Sequence, residues 1–418
     1  MRALPLLLAF GFAFAACQLD GGETEPTTDP DPAPAPDTTS ASGRISTTGG
    51  LGLPSADDLE GGRYTGRGRD LVEVDTAGQA AAARTNPETL AAIDTTEAWS
   101  SPIRVPLGGD VAGPSVVKLQ TLLDRAGFSP GQIDGRWGDN TELALSWFQK
   151  AEGLRVTGIA DRATVRSLSQ RAGQPGQLIT TVTLSEDAVA GPFTEIPDDV
   201  YAKAELDRLG YESLSEKLGE RFHAAPELLA RLNGGRDLDA LSAGDTLRVP
   251  NVGSAPRPSS AVSRLVISSE AGYLHALADD GTVLFHAPVT VGASYDPSPE
   301  GAFEVRAIAR NPEWHYQPAI LESVPDDAEE ATLPPGPNNA VGVVWMALSK
   351  EHYGIHGTSA PETIGYASSA GCVRLTNWDA ERLAAMIEPG VPVRFRDVAG
   401  RPGQRAPTDT TTMAARSR

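Results

Sequence analysis

With 418 residues, 43 of them glycine and 33 proline, the chain has room for roughly two to four domains joined by turn-rich segments. Its formal net charge of −20 argues against nucleic acid as a partner, because phosphate backbones are held by basic faces. An acidic surface of this kind serves solubility more often than binding. Of its two cysteines, Cys17 closes an N-terminal apolar run, which leaves Cys372 without a disulfide partner in the chain.

The N-terminus carries one charge, Arg2, then an apolar stretch from Leu6 to Phe14 and the small pair Ala15-Ala16. This is the layout of a secretory signal peptide over 1–16, too short for a spanning helix. No later stretch reaches the ~18 apolar residues of a transmembrane segment. With Cys17 directly after the small pair, the run resembles a bacterial lipoprotein signal, which implies a lipid on Cys17 and contact with a membrane. Phe14 is an unusual choice three positions before the cysteine, and plain cleavage is the other reading. Residues 17–104 then read as a lipidated N-terminus and a largely disordered linker, because the Thr-, Asp- and Pro-rich stretch after Gln18 cannot bury enough apolar area to offset its ordering entropy. One short helix is predicted at Pro87–Ile93, and the segment has no assignable fold.

Val116, Leu119, Leu122, Leu123 and Ala126 recur at helical spacing and stop at Gly127. A second helix opens at Asn140 with Leu143, Ala144, Trp147 and Phe148 on one face, and Asp161 caps a third that carries Val165 and Leu168. The pattern predicts a small all-α three-helix bundle over 105–172. Its wording, in Ile133-Asp134-Gly135-Arg136-Trp137-Gly138, Phe148-Gln149-Lys150 and Gly153-Leu154, resembles the peptidoglycan-binding domain of bacterial wall enzymes. The resemblance supplies the glycan ligand; the spacing supplies only a core, with Trp147 and Phe148 in it. Trp137 is either half-exposed packing or a sugar platform.

Leu214, Leu218 and Phe222 form one helical stripe, Leu228, Leu229 and Leu232 a second, and Thr246 to Val249 a strand. Leu241-Ser242-Ala243-Gly244-Asp245-Thr246-Leu247-Arg248-Val249-Pro250 resembles the close of a LysM module, so residues 205–252 are expected to form a small α+β LysM-like unit, either glycan-binding or a spacer. His223 reads as a surface or packing residue.

From Val262 the period changes to two. Strands are predicted at Arg264–Ser268, Tyr273–Ala278, Val283–Val291, Phe303–Ala309 and Val341–Leu348, with Asp280-Gly281 as a hairpin turn. Thr376 and Asp379 form a capping box for a helix over Trp378–Ile387, and Val391–Arg396 closes the domain. The result is a β-rich, α+β domain over 262–397, followed by a disordered tail over 399–418.

A thiol attacks as thiolate, and a neighbouring imidazole is the usual means of making one. His356-Gly357-Thr358 lies upstream of Ser369-Ala370-Gly371-Cys372-Val373-Arg374-Leu375-Thr376-Asn377-Trp378. Together with Tyr353-Gly354-Ile355, Ile364-Gly365 and Asn311-Pro312-Glu313-Trp314, these strings resemble the L,D-transpeptidase (YkuD-type) catalytic domain. The resemblance implies a β-sandwich-like fold, a cysteine acyl-enzyme acting on peptidoglycan stem peptides, and no metal or organic cofactor. The chain departs from the family at Ala370, where the usual string has histidine, so His356 must be the base.

On this reading Cys372 is the nucleophile and His356 its base, oriented by the carbonyl of Gly357. Main-chain N–H groups at Gly371 and Cys372 are candidates for the oxyanion site, with Ser369 hydrogen-bonding nearby. Arg374 and Tyr353 are the substrate-binding candidates, and a surface ion pair is the plain alternative for Arg374. His352 and His356 are expected on one face of a strand, without the further ligand a metal site needs. His275 and His286 on hairpin strands, and His315 in a loop, are assigned no chemistry.

The whole reads as a multidomain protein of the bacterial envelope, on the periplasmic side and lipid-anchored. It is expected to form cross-links or exchange terminal D-amino acids on peptidoglycan. Two rivals stand beside this: a catalytically weakened wall-binding protein, suggested by Ala370, and an L,D-carboxypeptidase- or endopeptidase-like hydrolase using the same site. The helical bundle is expected to stand apart from the catalytic domain, separated by the linker and the LysM-like unit.

Overall fold

A computed structural model describes residues 76–94, 99–173, 177–253, 260–292, 298–299, 301–318, 328–367, 369 and 371–396. Cys17, the signal-like run, Ala370 and the tail over 399–418 lie outside these residues.

Helix α1 (Thr76–Thr85) and a 3-10 turn at Leu90–Asp94, near the predicted short helix, precede the helical region. That region consists of α2 (Pro114–Arg125), α3 (Asp139–Ala151) and α4 (Arg162–Arg171). Pro114 opens α2, where its missing N–H costs nothing, and the Asp161 carboxylate accepts from the Thr164 N–H at 2.8 Å to start α4. Leu119, Leu122, Leu123, Phe128, Leu143, Phe148 and Leu168 share one core, with the Phe128 and Phe148 rings edge-on at 5.4 Å. Trp137 is only 7% exposed and packs in the same core, so of its two readings packing holds.

Next come β1 (Ile179–Thr183), α5 (Glu186–Val189), α6 (Val200–Ala204), α7 (Leu214–Arg221), α8 (Pro226–Leu232) and β2 (Thr246–Pro250). Strand β1 pairs antiparallel with β2, Ile179 facing Pro250 and Thr183 facing Thr246. The partner of the closing strand therefore lies upstream of residue 205. A segment carrying α5 and α6 is inserted between the opening strand and α7, and this insertion hides the opening strand from a local reading of the sequence.

The remaining strands are β3 (Arg264–Ser268), β4 (Tyr273–Leu277), β5 (Val283–Pro288), β6 (Gly301–Arg310), β7 (Trp314–Tyr316), β8 (Ala331–Leu333), β9 (Val344–Leu348), β10 (Gly354–His356), β11 (Val373–Arg374) and β12 (Pro392–Phe395), with helix α9 (Asn377–Ala384) before β12. One eight-stranded sheet runs in the order β11-β10-β9-β6-β12-β3-β4-β5, and β7-β8 is a separate hairpin. Strand β6 pairs with β12 at its start and with β9 at its end, across a register shift between Val305 and Ala307. The sheet therefore curls through a bulged strand and stays continuous, where a sandwich-like pair of sheets was expected. The core inside the curl takes Leu265, Ile267, Phe285, Val305, Met346, Ile355, Val373 and Val393 from the strands and Leu383 from α9.

The helical region is not a separate bead. Ala271, Tyr273 and Val283 of the β-domain are part of its core. The Ser129 N–H donates to the His286 carbonyl at 2.8 Å and the His286 N–H to the Gly127 carbonyl at 2.9 Å, which covers the edge strand β5. Buried Asp124 on α2 meets Arg382 of α9 at 3.3 Å and His223, which follows α7, at 3.2 Å. Burial alone would push this carboxyl up, but the Arg382 guanidinium and His223 hold it at about 2. The His223 ring also stacks on Trp378 with centroids 5.1 Å apart. His223 thus joins three regions of the chain, a role its sequence position did not suggest.

Candidate active site

Strand pairing sets the two motif segments side by side. Strands β10 and β11 run parallel with Ile355 beside Val373 and His356 beside Arg374, and β9 places Trp345 opposite His356. Side chains alternate along a strand, so Ile355 and Val373 enter the inner core and the alternate positions turn to the other face. On that face Cys372 clusters with Trp345, Trp314, Tyr316, Leu333 and Val341, and with Val200 and Leu209 from the inserted segment. Cys372 is 1% exposed and His356 is fully buried. The Trp345 ring stacks on His356 at 5.5 Å between centroids. A Cβ at Gly354 would stand 2.5 Å from that ring, so glycine is what lets the indole lie against β10.

The histidine has one assignable tautomer. Its Nδ1 lies 2.7 Å from the Gly357 carbonyl. A carbonyl oxygen only accepts, so Nδ1 carries the proton and Nε2 the lone pair. Nε2 is buried and has no hydrogen-bond partner among the described residues. Burial above all, and then the nearby Arg374 charge, push the pKa of His356 down to about 3, against a smaller upward pull from Gly357. The resting imidazole is neutral and already in its base form.

The turn leading to Cys372 is held from both sides. Gly371 has φ +89°, in the left-handed region, and its carbonyl accepts from Ser298 Oγ at 2.9 Å, while that hydroxyl accepts from the Gly292 N–H at 2.9 Å. Ser369 Oγ donates to the Cys372 carbonyl at 2.6 Å, so it grips the main chain of Cys372 and not its sulfur. Cys372 Sγ is 3.7 Å from the His352 carbonyl. His352 sits in a turn with φ +64°, not on the strand, so the expected same-face pair with His356 does not form. Arg374 is partly buried beside His356. Tyr353 packs against the inner core under the Lys350 ammonium, 4.4 Å from its ring, and is not in the Cys372 cluster. His315 lies on β7 and not in a loop, and His275 Nε2 and His286 Nδ1 are 3.0 Å apart on paired strands. Among the described residues no group of three or more His, Cys, Asp or Glu side chains is placed to hold a metal ion.

Two further residues shape the site. Asn377 Oδ1 accepts from the Val343 N–H at 3.2 Å and the Thr358 N–H at 3.1 Å, and a Cβ at Gly357 or Gly342 would strike it. Asn377 Nδ2 donates to Glu220 Oε1 of α7 at 3.1 Å and to the Pro337 carbonyl at 3.3 Å. Through Asn377, α7 reaches the loop that carries Gly357. Burial raises the Glu220 carboxyl to about 8, offset in part by the Asn377 hydrogen bond and reinforced by Glu216, Glu381 and Glu362. Asn377 stood inside the motif string without a role, and Glu220 carried no signal because it belongs to a different stretch of sequence.

Residues 263–395 match the L,D-transpeptidase catalytic domain family, and residues 112–168 match a peptidoglycan binding domain family. The chain is 31% identical to the L,D-transpeptidase YkuD of Bacillus subtilis over 153 residues, 37% of this chain and 76% of that protein. The chain belongs to the L,D-transpeptidase family. Its similarity to the YkuD protein of Bacillus licheniformis is 28% identity over 178 residues, 43% of this chain and 90% of that protein. Among solved structures, an L,D-transpeptidase of Xylanimonas cellulosilytica aligns at 17% identity with a TM-score of 0.31, covering 71% of this chain and all of that one. As an L,D-transpeptidase family member with a peptidoglycan-binding region, the protein acts on the cell envelope; no helix among its described residues is long and apolar enough to cross a membrane.

Proposed function

We propose that the protein is a peptidoglycan L,D-transpeptidase that works through an acyl-enzyme on Cys372, with His356 as the sole base. The observation that carries this reading is the fixed, neutral His356 tautomer, with Nε2 unpartnered on the face of the sheet that holds the thiol. The Cys372 proton passes to His356 Nε2 as the sulfur bonds to the donor stem-peptide carbonyl. The bond to the terminal D-amino acid then breaks, and the imidazolium returns its proton to the leaving amine. An acceptor amine next attacks the thioester, gives its proton to His356 and frees Cys372. Because burial and Arg374 disfavour the imidazolium, it is stable only while a thiolate or oxyanion stands beside it. Main-chain N–H groups at Gly371 and Cys372 serve the oxyanion, and Arg374 a stem-peptide carboxylate. The β1–β2 unit acts as a LysM-like wall contact, and Cys17 carries the lipid.

Mass spectrometry of the purified protein with a carbapenem, followed by product analysis on purified muropeptides, tests this. One adduct on Cys372 is expected, absent from Cys372→Ser and formed at least ~10²-fold more slowly by His356→Ala. Cross-linked or exchanged products support transfer, and shortened stems alone support hydrolysis. An adduct or turnover in Cys372→Ser sinks the assignment, and a wild-type protein that never acylates leaves a wall-binding scaffold.

A further inference from the structure

On the outer face of the sheet, away from Cys372, lies a cavity of about 660 Å³ between α3 and strands β12, β3 and β4. Register explains its lining: Arg394 faces Val266, which faces His275, and Arg264 faces Leu277 in the next row. These positions alternate with the inner-core residues Leu265, Val393 and Phe395. Helix α3 overhangs the row with Trp147 and Lys150. The Lys150 ammonium sits 4.5 Å over the Trp147 ring, whose edge meets His275 at 4.4 Å.

Charge makes this cavity unlike the rest of the molecule. In a chain of net charge −20, Lys150, Arg264, Arg394 and Arg396 converge on it, and no carboxylate among the described residues lines it. None of the four forms an ion pair among the described residues. Asp280, in the adjoining turn, accepts from the Thr282 N–H at 2.9 Å and offsets part of the Arg264 charge without an ion pair. Gathering four cations with no ion pair costs Coulomb energy that an anion returns. Two built elements accompany them. Trp147 is 9% exposed, and its Nε1 has no partner among the described residues. His275 is 4% exposed, and burial, then His286, Lys150 and Arg396, hold it well below the usual histidine range, so it is a neutral donor or acceptor.

We propose that this groove is a second peptidoglycan-binding site, in which Arg264, Arg394, Arg396 and Lys150 hold stem-peptide carboxylates against a wall that includes Trp147. The peptidoglycan assignment follows from its walls. Trp147 and Lys150 lie in the stretch that matches a peptidoglycan binding domain, and the arginine-bearing strands lie in or beside the catalytic stretch. The proposal rests on the wall-acting reading above, and extends it to a surface that neither stretch forms alone. Guanidinium groups pair bidentately with carboxylates and phosphates alike, so phosphate polymers attached to the wall are the competing source of anions.

The test is sedimentation of the full-length protein with purified sacculi over a range of salt. Each neutralised cation, in Arg264→Gln, Arg394→Gln and Arg396→Gln, should weaken binding by about 2- to 5-fold and flatten the salt dependence. Amidating the sacculus carboxylates with carbodiimide and ammonia should bring the wild type to the level of a protein carrying all three substitutions together. Stripping phosphate polymers with hydrofluoric acid should leave wild-type binding intact. Carbapenem acylation of Cys372 is the control, and should be unchanged in all three variants. Variants that bind like wild type, or indifference to amidation, overturn the proposal, and loss of binding after hydrofluoric acid assigns the groove to phosphate. If Cys372 never acylates while sacculus binding still falls in the variants, the groove stands and the catalytic reading falls.

Discussion

Replacing Glu220 by glutamine should stabilise this protein, and do so more as pH rises. Glu220 is buried against Asn377 and ionises at about 8 when folded, against an ordinary 4.5. Between those values the folded protein holds a proton that the unfolded chain has released, so this residue makes stability fall as pH rises from 4.5 to 8 and stay level above it. Each pKa unit is worth about 1.4 kcal/mol, which puts the ceiling on the order of 5 kcal/mol. Local relaxation of the acidic neighbours takes up part of that, and we expect roughly 2 kcal/mol by pH 8. Glutamine keeps an oxygen for Asn377 Nδ2 and does not titrate, so the pH-dependent difference between the two proteins comes from Glu220 and the acidic groups coupled to it. Thermal melts at pH 4.5, 6.5 and 8 should show the two proteins together at the lowest pH, separating to a Tm gap of a few degrees at the highest, at about 2 °C per kcal/mol. A gap that is constant with pH, or that closes toward pH 8, would refute the reasoning.

Deleting residues 105–172 should not liberate an active catalytic domain, because it bares Tyr273 and Val283 and strips Arg382 of its Asp124 partner. Aggregation or loss of Cys372 acylation is the expected result, and a soluble, fully acylated fragment would contradict it. Cys17→Ala should move the protein from the membrane to the soluble envelope fraction, since stable anchoring takes more than one acyl chain and a lipidated N-terminus supplies them; an unchanged distribution would place the anchor elsewhere.

What was legible in the sequence is what local periodicity and short motifs encode. The stripes of α2 and α3, the Asp161 cap, the Asp280-Gly281 turn and the Thr376 capping box all report on neighbours a few residues away. What was not legible depends on distant partners. The strand Ile179–Thr183 is short and Thr-rich, and only its pairing with Thr246–Pro250 makes it part of a unit. His223 read as a surface or packing residue, and nothing in its own stretch said that folding would set it between Asp124 and Trp378. Tyr353, inside the motif string, lies just before β10 and packs against the inner core, which its place in the motif did not show. The curl of the sheet was hidden for a similar reason: β6 reads as one long strand, and nothing local says that its two halves have different partners.

The junction at Asp124 changes how wall binding and catalysis relate. A tethered module raises the local concentration of substrate but leaves its geometry free. Here the Asp124 carboxylate of α2 pairs with Arg382 of α9 and lies 3.2 Å from the His223 ring in the turn after α7. Removing Asp124 or Arg382 would leave the other charge buried without its counter-charge, so separating α2 from α9 is costly. The same α9 begins with Asn377, which holds the Thr358 N–H next to the carbonyl that fixes the His356 tautomer. The helix that reaches the helical region at one end thus orients His356 at the other. On the proposed reading, a glycan strand held by the helical region would be presented to Cys372 from a set direction, and the choice of which stem peptide reaches the thiol would be a property of the fold and not of linker length.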